Sequence, residues 1–371
     1  MHSIFLKTKI HSGIGSLQVL SAYRNQKIFL VCDEFLLSSG GVRQLLESVD
    51  DSCQVKIFHK VVPDPPMDTV AEALVQFQRF APQVMIAMGG GSAIDTAKGV
   101  LYFSKQMPGG SDVKLIAVPT TSGTGSEVTS ATVLTDPESK IKHIIVDDAI
   151  VPDEAILDAR LTLSVPPNVT ANTGLDVLTH ALEAYVAVKS NPFSDALAEK
   201  AVEFIHSSLL ACYSNGSDLE ARTRMHEAST FAGIAFDKAG LGLSHSLAHQ
   251  LGSVFHIPHG LANALVLKEV ILFNSKDPAV CFQYADLVRR TGISAGAKKD
   301  EDAVWDLIRY IEDLKFRMKM PGTVRDCGIS RAEYDNSMVT LALNTLRDWC
   351  VSSNPTKIAA EDVVKILNSV Y

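Results

Sequence analysis

Two apolar runs that end in glycine-rich turns restrict the fold of this 371-residue chain more than any other feature. QVMIAM at 83–88 passes directly into GGGSAIDTAKGVLYF, and KLIAVP at 114–119 into TTSGTGSEVTSATVL. Both runs have strand length and are bounded by turn residues, the pattern of buried strands. KIFLVC at 27–32 and QVKIFH at 54–59 read the same way. From Asp68 the chain runs DTVAEALVQFQRFA, with Val70, Ala73, Leu74 and Phe77 at helical spacing and Asp68 placed as an N-cap. Strands alternating with helices predict an open α/β sheet of mostly parallel strands, in which ligands gather at the carboxyl ends.

The glycine turns lie at such ends. Glycine lets a backbone approach a phosphate closely, and the N–H groups opening the next helix favour an anion. Neither turn fits G-x-G-x-x-G, since positions 94 and 128 are Ile and Val, and neither is a P-loop, since no G-K-[ST] follows. Hydroxyl-rich turns in two adjacent units point to a bound phosphate or pyrophosphate. Asp33 closes the first β-run. It could accept from an adenosine ribose, favouring NAD over the 2′-phosphate of NADP, or serve only as a cap.

Beyond the Leu163–Asn168 turn the pattern changes to helical segments, among them 170–188, 194–212, 219–236, 242–253 and 302–316. The expected organisation is therefore an α/β domain at 1–160 and an all-helical domain at 161–371. Composition narrows the partners. A net charge of −8 argues against nucleic acid or an anionic membrane surface as the main partner. No 18-residue apolar stretch or amino-terminal apolar leader segment is present, so neither membrane spanning nor secretion is expected. Cys32, Cys53, Cys212, Cys281, Cys327 and Cys350 form no C-x-x-C pair and read as free thiols of a reducing cytosol.

The helical half carries an unusual cluster. GLSHSLAHQLGSVFHIPHG at 242–260 holds His245, His249, His256 and His259, and NTGLDVLTHALEAY upstream places Asp176 and His180 four apart on one helical face. One carboxylate with two or three imidazoles suffices for a divalent metal, and this donor set suits Fe(II) or Zn(II) rather than Mg(II) or Ca(II). Spacing alone does not choose among the four histidines. A metal can acidify an oxygen strongly, as zinc takes water from about 15.7 to about 7. At about 1.36 kcal/mol per unit, that is an upper bound on the order of 12 kcal/mol. Phosphate turns and a Lewis acid together suit an alcohol that, once deprotonated on the metal, gives hydride to a nicotinamide, or the reverse.

GGGSAIDTAK at 89–98, PTTSGTGSEVT at 119–129, NTGLDVLTHALEAY at 172–185 and GLSHSLAHQLG…HIPHGLANA at 241–264 resemble, in order, the signatures of the iron-containing (group III) alcohol dehydrogenases. The resemblance spans nearly the whole chain. It implies metal ligands at Asp176, His180, His245 and His259, with His249 beside the nicotinamide as a proton relay, and it assigns nothing to His256. It implies that Gly90, Gly91, Ser92 and Asp95 hold the pyrophosphate. Thr120, Thr121, Thr129 and Lys142 would contact the phosphate and nicotinamide-ribose portion, and Asp33 the adenosine ribose. Asp64 stands where the family often has Asn at an adenosine-side contact, and Phe236 matches a wall of the substrate pocket that would favour a short apolar alcohol. The implied cofactors are Fe2+, with Zn2+ as the other metal, and NAD(H). Compact length and VPPNVTANTGLDVLTHALEAYV resemble the propanol-dehydrogenase branch of bacterial propanediol utilisation. That branch implies a propanal/1-propanol couple, a homo-oligomer of two or more chains and a cytoplasmic location, inside a microcompartment.

Three other readings compete. A dehydroquinate-synthase-type lyase would need a cationic pocket, yet Lys189, Lys200, Arg222, Arg224 and Lys238 all lie outside the metal motifs. A glycerol-dehydrogenase-type NAD/zinc enzyme is the second. A purely structural metal site is the third, but such sites are closed and often cysteine-rich.

Overall fold

The computed structural model describes residues 4–107, 112–138, 142–296 and 299–371. Its first half contains β1 (Lys9–Ser12), β2 (Lys27–Asp33), α1 (Glu34–Ser38), α2 (Gly41–Leu46), β3 (Gln54–Val61), α3 (Met67–Phe80), β4 (Val84–Gly89), α4 (Gly91–Lys105), β5 (Lys114–Pro119), β6 (Ala131–Thr135), β7 (Lys142–Val146) and β8 (Glu154–Leu157). Six strands form one parallel sheet in the order β1-β8-β5-β4-β2-β3. The two-residue alternation of β2 explains its burial. Phe29 and Val31 pack under α3 and α4, while Ile28, Leu30 and Cys32 pack on the opposite face with Leu36, Val42 and Leu45. With both faces covered, β4 and, beyond Lys114, β5 can be apolar throughout.

From β2 the sheet grows outward to β3, then in the other direction through β4 and β5. That reversal is a topological switch point, where open α/β sheets bind ligands at the carboxyl ends of their strands. Asp33 and Gly89 end the two strands on either side of it, and Gly89 pairs with Pro119 at the end of β5.

One local expectation changes. Pro66 caps α3, which begins at Met67, so Asp68 lies in the first turn near the positive end of the helix dipole rather than at the N-cap. The stretch after the second glycine turn is not part of the parallel sheet. It forms an antiparallel hairpin of β6 and β7.

The second half is all-helical among the described residues: α5 (Pro167–Val186), α6 (Pro192–Ser214), α7 (Leu219–Ala239), α8 (Leu243–Phe255), α9 (His259–Asn274), α10 (Pro278–Arg290), α11 (Asp300–Arg317), α12 (Arg331–Arg347) and α13 (Ala360–Ser369). Proline opens α5 and α6 at positions where its missing N–H has no helical partner to lose. The chain splits into two compact units at Val165/Pro166, a few residues beyond residue 160. Within the second unit one core joins α5, α6, α7, α10 and α11, and another joins α8, α9, α12 and α13. α5 is buried on nearly all sides, which explains its lack of a polar face. All six cysteines are free. No described helix is long and apolar enough to cross a membrane.

Candidate metal centre and phosphate turns

α5 presents Asp176 and His180 from successive turns, α8 supplies His245, and α9 opens with His259. One ligand atom from each of Asp176, His180 and His245 lies within 4.8 Å of the others, and all three residues are buried. His259 stands at the edge, half-exposed, with Nε2 at 3.6 Å from Asp176 Oδ1, while His245 Nε2 is 3.8 Å from the same oxygen. The ring of His180 stacks on His245 at 4.6 Å and also on Phe236 at 4.6 Å. Such close helix crossing needs Gly260, where a Cβ would sit 2.0 Å from the Asn172 carbonyl oxygen of α5.

The chemistry of His245 tests whether this set fits a metal. Its Nδ1 lies 2.5 Å from Glu183 Oε2, and burial pushes its pKa well below 6.5, with His249 adding to the effect. The ring is therefore neutral and donates Nδ1–H to Glu183, leaving a lone pair on Nε2. That Nε2 is buried and has no hydrogen-bond partner. A buried acceptor is normally satisfied, so an orphan lone pair beside a carboxylate and a second imidazole is what a divalent cation would fill. Asn263 Nδ2 donates to Asp176 Oδ1 at 2.8 Å and holds the carboxylate in place. Burial pushes Asp176 up to about 7, opposed by the Asn263 hydrogen bond and reinforced by Glu183.

Two functional residues escaped sequence reasoning. Glu183 accepts from Gly242 N (2.9 Å), Ser244 N (2.6 Å) and His245, so it both caps the start of α8 and sets the His245 tautomer. Its signal was present: it lies three residues after His180, on the face shared with Asp176. Asp348 Oδ2 accepts from His249 Nδ1 at 2.8 Å. Ninety-nine residues separate the two, and no local pattern announces the pairing. His245 and His249, one turn apart on α8, thus go to different carboxylates. His256 is exposed and ends α8 in the left-handed region at φ 56°, away from any ligand role.

In the first unit Gly90 caps α4, and a Cβ on Gly91 would lie 2.7 Å from Thr124 Cγ2, so the two glycine turns pack directly together. Thr121 Oγ1 lies close to Gly90, Thr120 N donates to Gly89 O at 2.9 Å, and Ser92 opens the first turn of α4. Asp33 Oδ1 accepts from Leu36 N at 2.8 Å, so it caps α1.

Three further residues expected at the cofactor make contacts within the protein. Asp95 is half-buried and accepts from Ser126 Oγ (2.9 Å) and Val133 N (3.4 Å), with the burial of its carboxylate pushing it up to about 6. Its carboxylate braces the second turn. Thr129 is buried, and its Oγ1 and carbonyl accept from Lys98, a fully buried lysine that also donates to Ala131 O. Lys142 Nζ lies 2.6 Å from Asp64 Oδ1, joining residues expected at opposite ends of a dinucleotide. Asp64 itself sits at φ 50°, a conformation that Asp and Asn tolerate best.

Comparison with known proteins agrees with this geometry. The family model described as "Iron-containing alcohol dehydrogenase" matches residues 7–159, and "Fe-containing alcohol dehydrogenase family, C-terminal" matches 170–371. The chain belongs to the iron-containing alcohol dehydrogenase family and is an oxidoreductase of that class. The 1-propanol dehydrogenase of Citrobacter freundii is 43% identical over 371 residues, covering 100% of both chains. An NADPH-dependent butanol dehydrogenase of Clostridium saccharobutylicum is 38% identical, covering 99% of this chain and 97% of that one. Among solved structures, a 1,3-propanediol oxidoreductase superposes with a TM-score of 0.92 at 32% identity, covering 100% of both chains. The sulfoacetaldehyde reductase of Bifidobacterium kashiwanohense, in complex with NAD+, gives 0.87 at 27%, covering 100% of this chain and 98% of that one.

Proposed function

We propose that this chain interconverts a short-chain aldehyde and its primary alcohol, propanal and 1-propanol, with NAD(H) as the hydride carrier and Fe2+ as the activating metal. The alcohol and NAD+ give the aldehyde, NADH and one proton. The observation that carries the reading is the orphan Nε2 of His245 beside Asp176 and His180, with Glu183 fixing its tautomer. Asp176, His180, His245 and His259 would hold the metal, whose Lewis acidity lowers the pKa of an alcohol and polarises an aldehyde carbonyl. Phe236, packed on His180, would wall the pocket against long or polar substrate tails. His249, its Nδ1–H held by Asp348, keeps Nε2 as the atom that takes and returns a proton.

On the cofactor side, Gly90, Gly91, Ser92, Thr120 and Thr121 would cradle the phosphates, with Asp95, Lys98 and Thr129 bracing the turns. Asp33 leaves a negative charge at the end of β2 that disfavours a 2′-phosphate, so NAD(H) is preferred to NADP(H). The resemblance to 1-propanol dehydrogenases also carries the homo-oligomer and microcompartment location, testable by solution mass and co-fractionation with shell proteins.

Purified protein loaded anaerobically with Fe2+ should oxidise NADH with propanal, and His249→Ala should keep about one metal per chain while losing turnover. Failure of metal-replete protein to bind any nicotinamide cofactor would end the reading. Greater turnover with Zn2+ than with Fe2+ would change the metal.

A further inference from the structure

His249 is held from a distant part of the chain. Asp348 Oδ2 accepts from His249 Nδ1 at 2.8 Å, and Oδ1 accepts from Cys350 N at 3.0 Å and Ser246 Oγ at 3.3 Å. The Cys350 thiol is buried, and the charge of Asp348 adds to the burial that keeps it protonated. The carboxylate is largely buried and fully engaged, yet stays ionised: burial raises its pKa, but the hydrogen bonds from His249 and the Cys350 N–H more than offset this.

The segment carrying Asp348 is itself clamped. Val188 N, just beyond α5, donates to Ser353 O at 3.0 Å, and Leu243 N, at the start of α8, donates to Asn354 Oδ1 at 3.2 Å. Asn354 Nδ2 donates to Asn274 Oδ1 at the end of α9, at 2.9 Å. The helices that present Asp176, His245 and His259 therefore fix the segment that presents Asp348.

We propose that Asp348 is the positioning residue of the reaction: it locks His249 as the Nδ1–H tautomer and aims its Nε2, while the 348–354 segment holds that aim rigidly relative to the metal ligands. The proposal rests on the reading of His249 as proton relay. His249, Asp348 and Cys350 also have the make-up of a cation site. Every polar atom of Asp348 already meets a donor, however, and burial keeps the Cys350 thiol protonated, so the triplet is satisfied without a cation.

Asp348→Asn tests this. Cys350 N–H can only donate, so the amide oxygen takes that side and the NH2 turns to His249, forcing Nδ1 to accept and moving the ring proton to Nε2. Holding an imidazole in the wrong tautomer costs catalysis heavily, so kcat should fall at least ~100-fold. KM for propanal and the metal content should stay near native.

The ring 15N resonances of His249, read in diamagnetic Zn2+-loaded protein and assigned by difference with His249→Gln, should show Nδ1–H in the native protein and Nε2–H in the variant. In a His249→Ala background, Asp348→Asn should cost no further turnover. The proposal is overturned by a native Nε2–H ring, or by equal kcat losses in both backgrounds, which would make Asp348 purely structural. Loss of a second metal equivalent from Asp348→Asn would make the triplet a cation site and overturn it too. If His249→Ala keeps native turnover, the relay reading fails, and the proposed role in the reaction with it, while the 15N spectra still decide whether Asp348 sets the tautomer.

Discussion

Replacing Glu183 by Gln separates the hydrogen-bonding role of that carboxylate from its charge. One oxygen accepts from Gly242 N and His245 Nδ1, the other from Ser244 N. A glutamine offers one acceptor. Placed on the Gly242/His245 side it keeps two bonds and turns its NH2 against Ser244 N–H; placed the other way it strands two donors. The first arrangement wins, and one buried unsatisfied donor costs about 1–3 kcal/mol. The His245 tautomer survives, but its partner is now neutral, so Nε2 becomes a weaker donor. Loss of such a supporting carboxylate lowers metal affinity by about 10–100-fold. Metal-free Glu183→Gln should therefore melt a few degrees below native. An anaerobic Fe2+ titration against a competing chelator should show the weaker binding, with nicotinamide affinity unchanged. Native Fe2+ affinity in the variant would refute the argument that Glu183 tunes the site through His245.

In metal-free protein burial pushes both Asp176 and Glu183 up to about 7, above their ordinary values of 3.8 and 4.5. With both raised on folding, their stabilising contribution is full below those ordinary values and lost as pH rises through about 7. The metal-free melting temperature should thus decline between about pH 4 and 7, while metal, which needs both carboxylates ionised, should remove the decline and release protons on binding, measurable by calorimetry in buffers of differing ionisation enthalpy. Gly260→Ala would drive a methyl into the Asn172 carbonyl 2.0 Å away and crowd Asp176 Cβ at 3.2 Å. It should lose about 3 kcal/mol or more by denaturant unfolding, with weaker metal binding because α9 carries His259 away from α5. Phe236→Ala removes the ring stacked on His180. Its kcat/KM should fall about 10-fold for propanal and much less for hexanal, and an unchanged chain-length profile would remove Phe236 from the pocket.

The sequence by itself determined the architecture and named most of the residues proposed to hold the metal, because both follow from local rules. A strand that ends in glycine and opens a helix is visible in QVMIAMGGGS, and two ligands one helical turn apart are visible in Asp176 and His180. Resemblance to the family narrowed four histidines to His245 and His259 as ligands and His249 as relay, and left His256 aside. The hairpin of β6 and β7 carries no clear periodicity, since its short half-buried strands follow an irregular turn, and local spacing misplaces the start of α3, where a proline rather than the aspartate two residues later caps the helix. Tertiary structure alone decided the partners. Glu183 reaches His245 across sixty-two residues and Asp348 reaches His249 across ninety-nine, while Lys142 takes the carboxylate of Asp64 across seventy-eight. Hydrogen bonds of a few ångströms between segments so far apart leave no spacing to read. A sequence can name a residue capable of donating or accepting, but only the packed chain says which lone pair is already taken and which, like Nε2 of His245, still waits for a partner.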